Sequence, residues 1–190
     1  MNTQAHLIIG TAAFAKPNRW KINLAAIAGS LVPDLSLYVL SVYYLFFAGV
    51  SPGIVFGQMY FSDQWQSIFS VDNSFFVWGI IAGAGFYFKN DVVKIFGLAG
   101  CLHLALDLPL HNDDGRAHFW PLSDWIYSSP ISYWDPNHYG NIFGPLEAIL
   151  CIILCVILVF RFRSIKARAG IILLGFLETF FIFMNVLNPL

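Results

Sequence analysis

The chain has 190 residues, of which 58% are hydrophobic and only 11% are charged. Soluble domains usually carry about 25% charged residues, so this deficit and a mean hydropathy of +0.68 exclude an ordinary soluble protein. The composition predicts a single integral membrane domain over residues 1–190. The net charge of −1 is no basic excess, and we expect no nucleic-acid partner.

The chain begins with an apolar stretch, residues 4–15, that is too short to cross a bilayer comfortably. A transmembrane helix needs about 20 apolar residues, so we expect this stretch, which carries His6, to form a half-buried or interfacial helix. The later stretch 51–61 contains Pro52 and two glycines, which predicts a loop or a re-entrant piece.

Longer apolar runs follow in chain order. The run 74–88 has only 15 residues, but it can cross if its outer end starts below the membrane surface. The predicted fold class is therefore all-α: a polytopic membrane helix bundle with about five transmembrane helices plus a short N-terminal helix. The predicted spans are 22–50, 74–88, 92–110, 142–160 and 169–190.

The basic residues indicate how these spans are oriented. Nine of the ten Lys and Arg residues fall in the turns 16–21, 89–94 and 161–168, and Arg116 is the exception. Basic residues concentrate in the cytoplasmic loops of membrane proteins, so we expect these three turns to face the cytoplasm. The loops that then face outward are 50–73 and 111–141.

Polar residues inside the spans share one depth. Asp34 is 13 residues from Lys21, and Asp107 is 13 residues from Lys94. Counted in this way, the polar groups lie about 14–24 Å above the cytoplasmic edge, in the outer half of a core about 30 Å thick. Groups on different segments can therefore meet at one height. The members of this layer are His6, Asp34, Asn73, His103, Asp107 and Glu147.

His103 and Asp107 are one helical turn apart, which places an imidazole and a carboxylate on one helix face. An ionisable group at the centre of a membrane helix costs about 2.5–3.5 kcal/mol. Zinc binds both imidazole and carboxylate, and a bound zinc ion would offset the cost of burying the two groups. The alternative is a hydrogen bond between His103 and Asp107 that packs two helices together. Asp34 follows Pro33, which weakens the helix and allows the carboxylate to line a cavity; the alternative is a simple kink with a solvated carboxylate.

The outer loop carries further ionisable groups just above this layer. His111, Asp113, Asp114 and His118 could complete a metal site or move protons, and a hydrated surface loop is the alternative. The aromatic stretch 118–140 is typical of a membrane-interface belt, although it could also form a lid over the site.

Two glutamates lie in the last two predicted spans. Glu147 follows Gly144 and Pro145 at the outer end of its span, where it could be a metal ligand, a catalytic base or a partner for Arg116. We expect Glu178 to be a hydrogen-bonding group that packs helices together.

The order of these residues resembles a known family. A histidine near the N-terminus (His6), a Pro-Asp inside the first long span (Asp34) and a later HLALD (His103 to Asp107) are similar to the bacterial inner-membrane metal-dependent hydrolases. That family has a His/Asp pattern distantly similar to that of zinc phospholipase C. The resemblance implies a divalent metal, zinc, held by His6, Asp34, His103 and Asp107, in an inner-membrane protein whose site faces the periplasmic side.

One residue departs from the pattern of that family. The family has Thr-His-Ser between its first two long spans, whereas this chain reads VDNS, with Asn73 at the place of the histidine. We expect His111 or His118 to fold down from the outer loop and restore a nitrogen ligand. The alternative is a site for a harder cation such as Mn²⁺ or Mg²⁺, which an amide oxygen suits better.

Three classes of function remain open at this point. The leading hypothesis is a membrane-embedded, metal-dependent hydrolase in which a metal-activated water attacks an ester or phosphoester, while Asp114, His118 or Glu147 handles protons. A lipid or lipid-linked substrate from the surrounding bilayer fits a site that opens at the outer leaflet. The alternatives are a transporter or ion-handling protein that uses the same cluster, and a structural membrane protein without catalysis.

Overall fold

The structure, a computed structural model, describes residues 1–187, and within this range every regular element is helical. The all-α prediction is confirmed. The helices are α1 (Thr3–Phe14), α2 (Trp20–Val42), α3 (Pro52–Ile54), α4 (Asp63–Asp72), α5 (Phe75–Tyr87), α6 (Asp91–Asp107), α7 (Gly140–Arg161) and α8 (Ile165–Leu187). The π-helical turns Tyr43–Phe47 and Val55–Met59 extend α2 and α3, and a 3₁₀ turn, Pro136–His138, precedes α7.

Three helical stretches in the described part of the chain are long and apolar enough to cross a membrane: Trp20–Phe47, Asp63–Tyr87 and Gly140–Arg161. Helix α6 has 17 residues and ends at Asp107, earlier than the predicted span 92–110. Leu108 keeps helical angles, but Pro109 after it has no backbone N–H to continue the helical hydrogen bonds, which accounts for this early end.

The segment between α2 and α5 is more helical than the loop predicted for 50–73. The chain forms α3 and its π-helical turn there, and Ser62 then caps α4 by accepting a hydrogen bond from the Trp65 backbone N–H. Trp65 and Phe69 of α4 are buried against Val55 and Tyr60. Tertiary burial of these aromatic residues therefore supports a helix in a segment that Pro and Gly mark as a loop.

Helix α1, predicted to be half-buried or interfacial, lies among the other helices of the bundle. It packs against α2, α6, α7 and α8, and Ala13 is its one exposed residue. Small residues allow this central position: a Cβ atom added at Gly10 would lie 1.8 Å from the Ser30 hydroxyl oxygen of α2. Helix α1 is too short to cross a membrane alone, and the longer helices around it bury its side chains.

The three basic turns gather at one end of the bundle. Arg19 and Lys21, at the start of α2, line one shallow depression together with Asp91 at the start of α6. Arg161, at the end of α7, donates from Nη1 to the Ala12 carbonyl, 2.6 Å away, in the last turn of α1. The cation also lies where it complements the helix dipole of α1.

Helices α2 and α6 run parallel and approach closely, which places Asp34 of α2 beside His103 of α6. One close approach is at Gly29, where an added Cβ atom would lie 2.2 Å from the Phe96 carbonyl oxygen. Small residues at such contacts are how membrane helices bring their backbones together. Gly29 therefore sets the separation of the two helices that carry the polar layer.

Gly29→Ala should destabilise the protein, because the new methyl group meets backbone atoms of α6 that cannot rotate away. We expect a loss of about 1–3 kcal/mol, measured as a lower midpoint of thermal unfolding in detergent. Gly83→Ala is the matched control, because no atom lies within 4 Å of a Cβ atom there. Equal midpoints for the two variants would contradict the close contact between α2 and α6.

Candidate metal centre

His103 is held so that one ring nitrogen faces the carboxylates of Asp107 and Asp34. Its Nδ1 donates to the Ser30 carbonyl oxygen of α2 at 2.8 Å, which leaves Nε2 with the lone pair. The side chain is buried, and Nε2 makes no well-formed hydrogen bond although two carboxylates lie within 3.5 Å of it. A backbone carbonyl that fixes the far nitrogen of an imidazole is the usual support of a metal-binding histidine.

Asp107 lies between two histidines. Its Oδ2 is 3.1 Å from His103 Nε2, and its Oδ1 is 2.9 Å from His6 Nε2. The carboxylate is buried, with 5% of the residue exposed. It therefore links α6 to α1 across a sequence separation of 101 residues.

His6 stacks face to face on His103. The ring centroids are 3.5 Å apart and the planes are 10° from parallel. Stacked imidazoles repel each other when both are charged, and the neutral form is the one that binds metals. Together with Asp107 they form a compact cluster, in which one ligand atom from each residue lies within 4.8 Å of the others.

Asp34 lies at the edge of this cluster. Its Oδ1 is 3.5 Å from His103 Nε2, so the proximity predicted from equal depth is present. Its other oxygen accepts a hydrogen bond from the Thr3 hydroxyl, which itself accepts one from the Tyr38 hydroxyl at 2.9 Å. The carboxylate is thus oriented from α1 and from its own helix.

His111 reaches the cluster from the outer loop. Its Nε2 is 3.2 Å from Asp107 Oδ1, and its Nδ1 is 2.9 Å from Asp114 Oδ2. The Met1 amino group lies beside it, 2.7 Å from Asp107 Oδ1 and 3.3 Å from His111 Nε2. The structure therefore places His111, one of the two expected replacement histidines, against the carboxylate of the cluster.

Asp114 is the carboxylate that orients His111. Trp134 Nε1 donates to its Oδ2 at 3.0 Å, and the Tyr60 hydroxyl donates to its backbone carbonyl at 3.0 Å. Burial favours a raised pKa for Asp114, but the hydrogen bonds from His111 and Trp134 outweigh it and hold the pKa below its ordinary value.

The structure does not bring His118 into this cluster. Its Nδ1 donates to the Asn73 backbone carbonyl at 2.9 Å, and burial lowers its pKa. Asn73 uses its amide nitrogen to donate to the Pro33 and Phe69 carbonyls, at 3.2 and 3.1 Å. His118 therefore supports the junction of α4 and α5, whereas His111 faces the cluster.

Glu147 and Glu178 hold the start of α1 rather than line the cavity described below. Glu147 Oε1 accepts from the Asn2 backbone N–H at 2.8 Å, and Glu178 Oε1 accepts from the Asn2 side chain at 3.3 Å. Both glutamates are buried. By fixing Asn2 they position Thr3 and His6 for their contacts with the cluster.

A cavity of about 540 Å³ reaches the cluster at Asp107, whereas His6 and His103 do not line it. Asp34, His111 and the exposed Asp113 are also among its lining residues. The rest of the cavity lining is mostly aromatic, with one leucine and one arginine. These further lining residues include Leu37, Tyr38, Phe56, Tyr60, Phe61, Arg116, Tyr133 and Trp134.

Sequence reasoning missed several residues that shape the site. The Ser30 carbonyl, the Thr3 and Tyr38 hydroxyls and the Tyr60 hydroxyl all orient its members. Backbone carbonyls leave no trace in a sequence, and single hydroxyls in apolar helices are too common to single out. Thr3 alone carried an indication, because it lies one helical turn before His6.

Comparisons with known proteins found no matching family model, no matching curated protein and no matching solved structure.

The donor atoms in the cluster fit a divalent transition metal. Two imidazole nitrogens and a carboxylate oxygen are ligands that zinc accepts together, and imidazole favours zinc-like metals over Mg²⁺. The buried His103 Nε2 is the observation that argues for the fit, because it lies 3.1 Å from Asp107 Oδ2 and 3.5 Å from Asp34 Oδ1 without a well-formed hydrogen bond to either. His6, His103 and Asp107 would hold the metal, with Asp34 and His111 beside them.

His103→Ala should abolish stoichiometric zinc binding, measured by elemental analysis and titration calorimetry on protein purified in detergent. His111→Ala should weaken the affinity about 10- to 100-fold, because it removes a group that orients Asp107. His118→Ala, a matched loss of a buried imidazole, should retain zinc, and so should Asn73→Ala. Full zinc retention in His103→Ala would exclude this metal site.

Proposed function

We propose that the protein is a membrane-embedded, metal-dependent hydrolase acting on an ester or phosphoester, with zinc as its metal. The observation that carries the proposal is the buried cluster of His6, His103 and Asp107, whose Asp107 lines a cavity that a small organic substrate could enter. A closed structural metal site would need no such cavity beside it. The three helices suited to crossing a membrane favour a substrate from the lipid phase, either a lipid or a lipid-linked molecule.

The residues around the cluster would have different roles in such a reaction. A divalent metal at this site supplies a Lewis acid that acidifies water towards neutrality. His111 lines the cavity and is oriented by Asp114 through its Nδ1, so its Nε2 is the atom placed to take or give a proton. Glu147 contributes by positioning α1, and His118 by supporting Asn73.

We propose five membrane spans in this protein. Helices α6 and α8 add to the three long apolar stretches, since both pack within the same bundle. The gathering of the basic turns at one end supports a cytoplasmic location for that end. The cavity then opens on the outer side, which in a bacterial inner membrane is the periplasmic side.

The hydrolase proposal is tested with chromogenic esters, phosphomonoesters and phosphodiesters in detergent micelles and in nanodiscs. Zinc-loaded protein should hydrolyse one of these classes. A chelator or His103→Ala should lower the rate by at least about 100-fold, within the range that single catalytic groups contribute, and His118→Ala should retain most of it. Zinc bound without any hydrolysis, together with metal transport into proteoliposomes, would replace this proposal with a transporter.

The orientation is tested with single cysteines introduced at Ser164 and Asn137 in a chain whose three native cysteines are removed. A membrane-impermeant thiol reagent added to intact cells should label Asn137→Cys and spare Ser164→Cys until the membrane is opened. Labelling of Ser164→Cys from outside would reverse the proposed orientation.

A further inference from the structure

Arg116 is placed differently from the other basic residues. It is the one Lys or Arg outside the three basic turns, and its side chain lines the cavity that contains Asp34 and Asp107. Its guanidinium carbon lies 4.5 Å from the centre of the Tyr60 ring and 4.1 Å from that of Phe69. Aromatic faces therefore hold the guanidinium in the wall of the cavity.

The guanidinium has no anionic partner among the described residues. Its buried Nη1 has no hydrogen-bond partner, and no described carboxylate lies within ion-pairing distance of the guanidinium; Asp72 interacts with it only through longer-range charge attraction. Three of the four carboxylates that line the cavity are engaged elsewhere: Asp107 with three histidines, Asp34 with Thr3 and His103, and Asp114 with His111 and Trp134. The fourth, Asp113, is exposed to solvent. A buried, charged donor without a partner is costly, so its retention beside the cluster points to an anion that binds there.

The chemistry of the guanidinium narrows the kind of anion. Its planar set of N–H donors matches phosphate oxygens in a bidentate arrangement, and stacking on rings keeps that plane fixed. A carboxylate would also pair with it. A phosphoester explains more, because the hydrolysable group and the anion would then be the same group, placed between Arg116 and the metal-binding cluster.

The cavity also has an apolar side that a free phosphate would not use. Leu37 of α2, with Phe56 and Phe61 from the segment after α3, lines it. Phe56 is 47% exposed and Phe61 is 50% exposed. These side chains belong to segments that flank a long apolar helix, so they offer a surface for hydrocarbon next to a cationic group.

We propose that Arg116 is the anion-binding residue of the cavity and that it holds the phosphate of a phosphate-bearing lipid, whose apolar part lies along Leu37, Phe56 and Phe61. This inference rests on the proposed hydrolase and names its substrate class. Arg116 sets substrate specificity in this scheme, and the cluster of His6, His103 and Asp107 carries the metal.

Binding of inorganic phosphate and of short-chain phosphatidic acid to the zinc-loaded, full-length protein tests the proposal by calorimetry in detergent. Arg116→Gln should weaken both about 10- to 100-fold, the size of one lost charged hydrogen-bonding group. Arg116→Lys should give a smaller loss, because it keeps the charge without the bidentate geometry. Arg163→Gln, the same charge change at an exposed position of a basic turn, should leave both affinities unchanged.

Other outcomes would contradict the anion site, the lipid substrate or the hydrolase proposal separately. Unchanged phosphate affinity in Arg116→Gln that still binds zinc would overturn the anion site. Phosphatidic acid that binds no tighter than inorganic phosphate would overturn the lipid part of the proposal. If Arg116→Gln loses its fold, measured by thermal unfolding, Arg116→Lys decides, and undiminished binding in that variant overturns the site. Arg116-dependent phosphate binding without any hydrolysis would contradict the proposed hydrolase and leave the anion site intact.

Discussion

The contact of Asp107 with His6 and His103 is the interaction on which the rest of the structure depends. It joins the first helix to the sixth, and the hydrogen bond from His103 to the Ser30 carbonyl brings in the second. None of these groups can be removed from its neighbours without leaving a buried polar atom unpaired. The cluster therefore explains why a short apolar helix lies at the centre of the bundle instead of at its surface.

Surrounding residues offset the free-energy cost of burying these ionisable groups. Each ionisable member is oriented by a second group: Asp34 by Thr3, His111 by Asp114, and the start of α1 by Glu147 and Glu178. Close contacts at glycines let the helices that carry these groups approach one another. Ionisable groups inside an apolar chain are expected where they serve a function.

Sequence reasoning could find the height of the polar groups but not their direction around each helix. Counting residues from the basic turns placed Asp34 and His103 in one layer, and they are 3.5 Å apart. The same counting could not place α1 in the interior, since that depends on the packing of Gly10 against α2. Nor could it distinguish His111 from His118, because the path of an irregular loop follows from its tertiary contacts.

The sequence also does not give the surroundings of Arg116. Its separation from the other basic residues is evident in the sequence, and an ion pair with Glu147 is one prediction from it. The structure instead places it between Tyr60 and Phe69, in the wall of the cavity. A residue that is an exception to a charge pattern thus became informative only once its surroundings were known.

X-ray absorption at the zinc edge of the metal-loaded protein tests the central claim most directly. We expect a nitrogen and oxygen shell at about 2.0–2.1 Å, with the multiple-scattering pattern of two imidazoles that falls to one in His6→Ala. A sulfur shell at about 2.3 Å, or a spectrum without any imidazole contribution, would place the metal elsewhere and contradict the account.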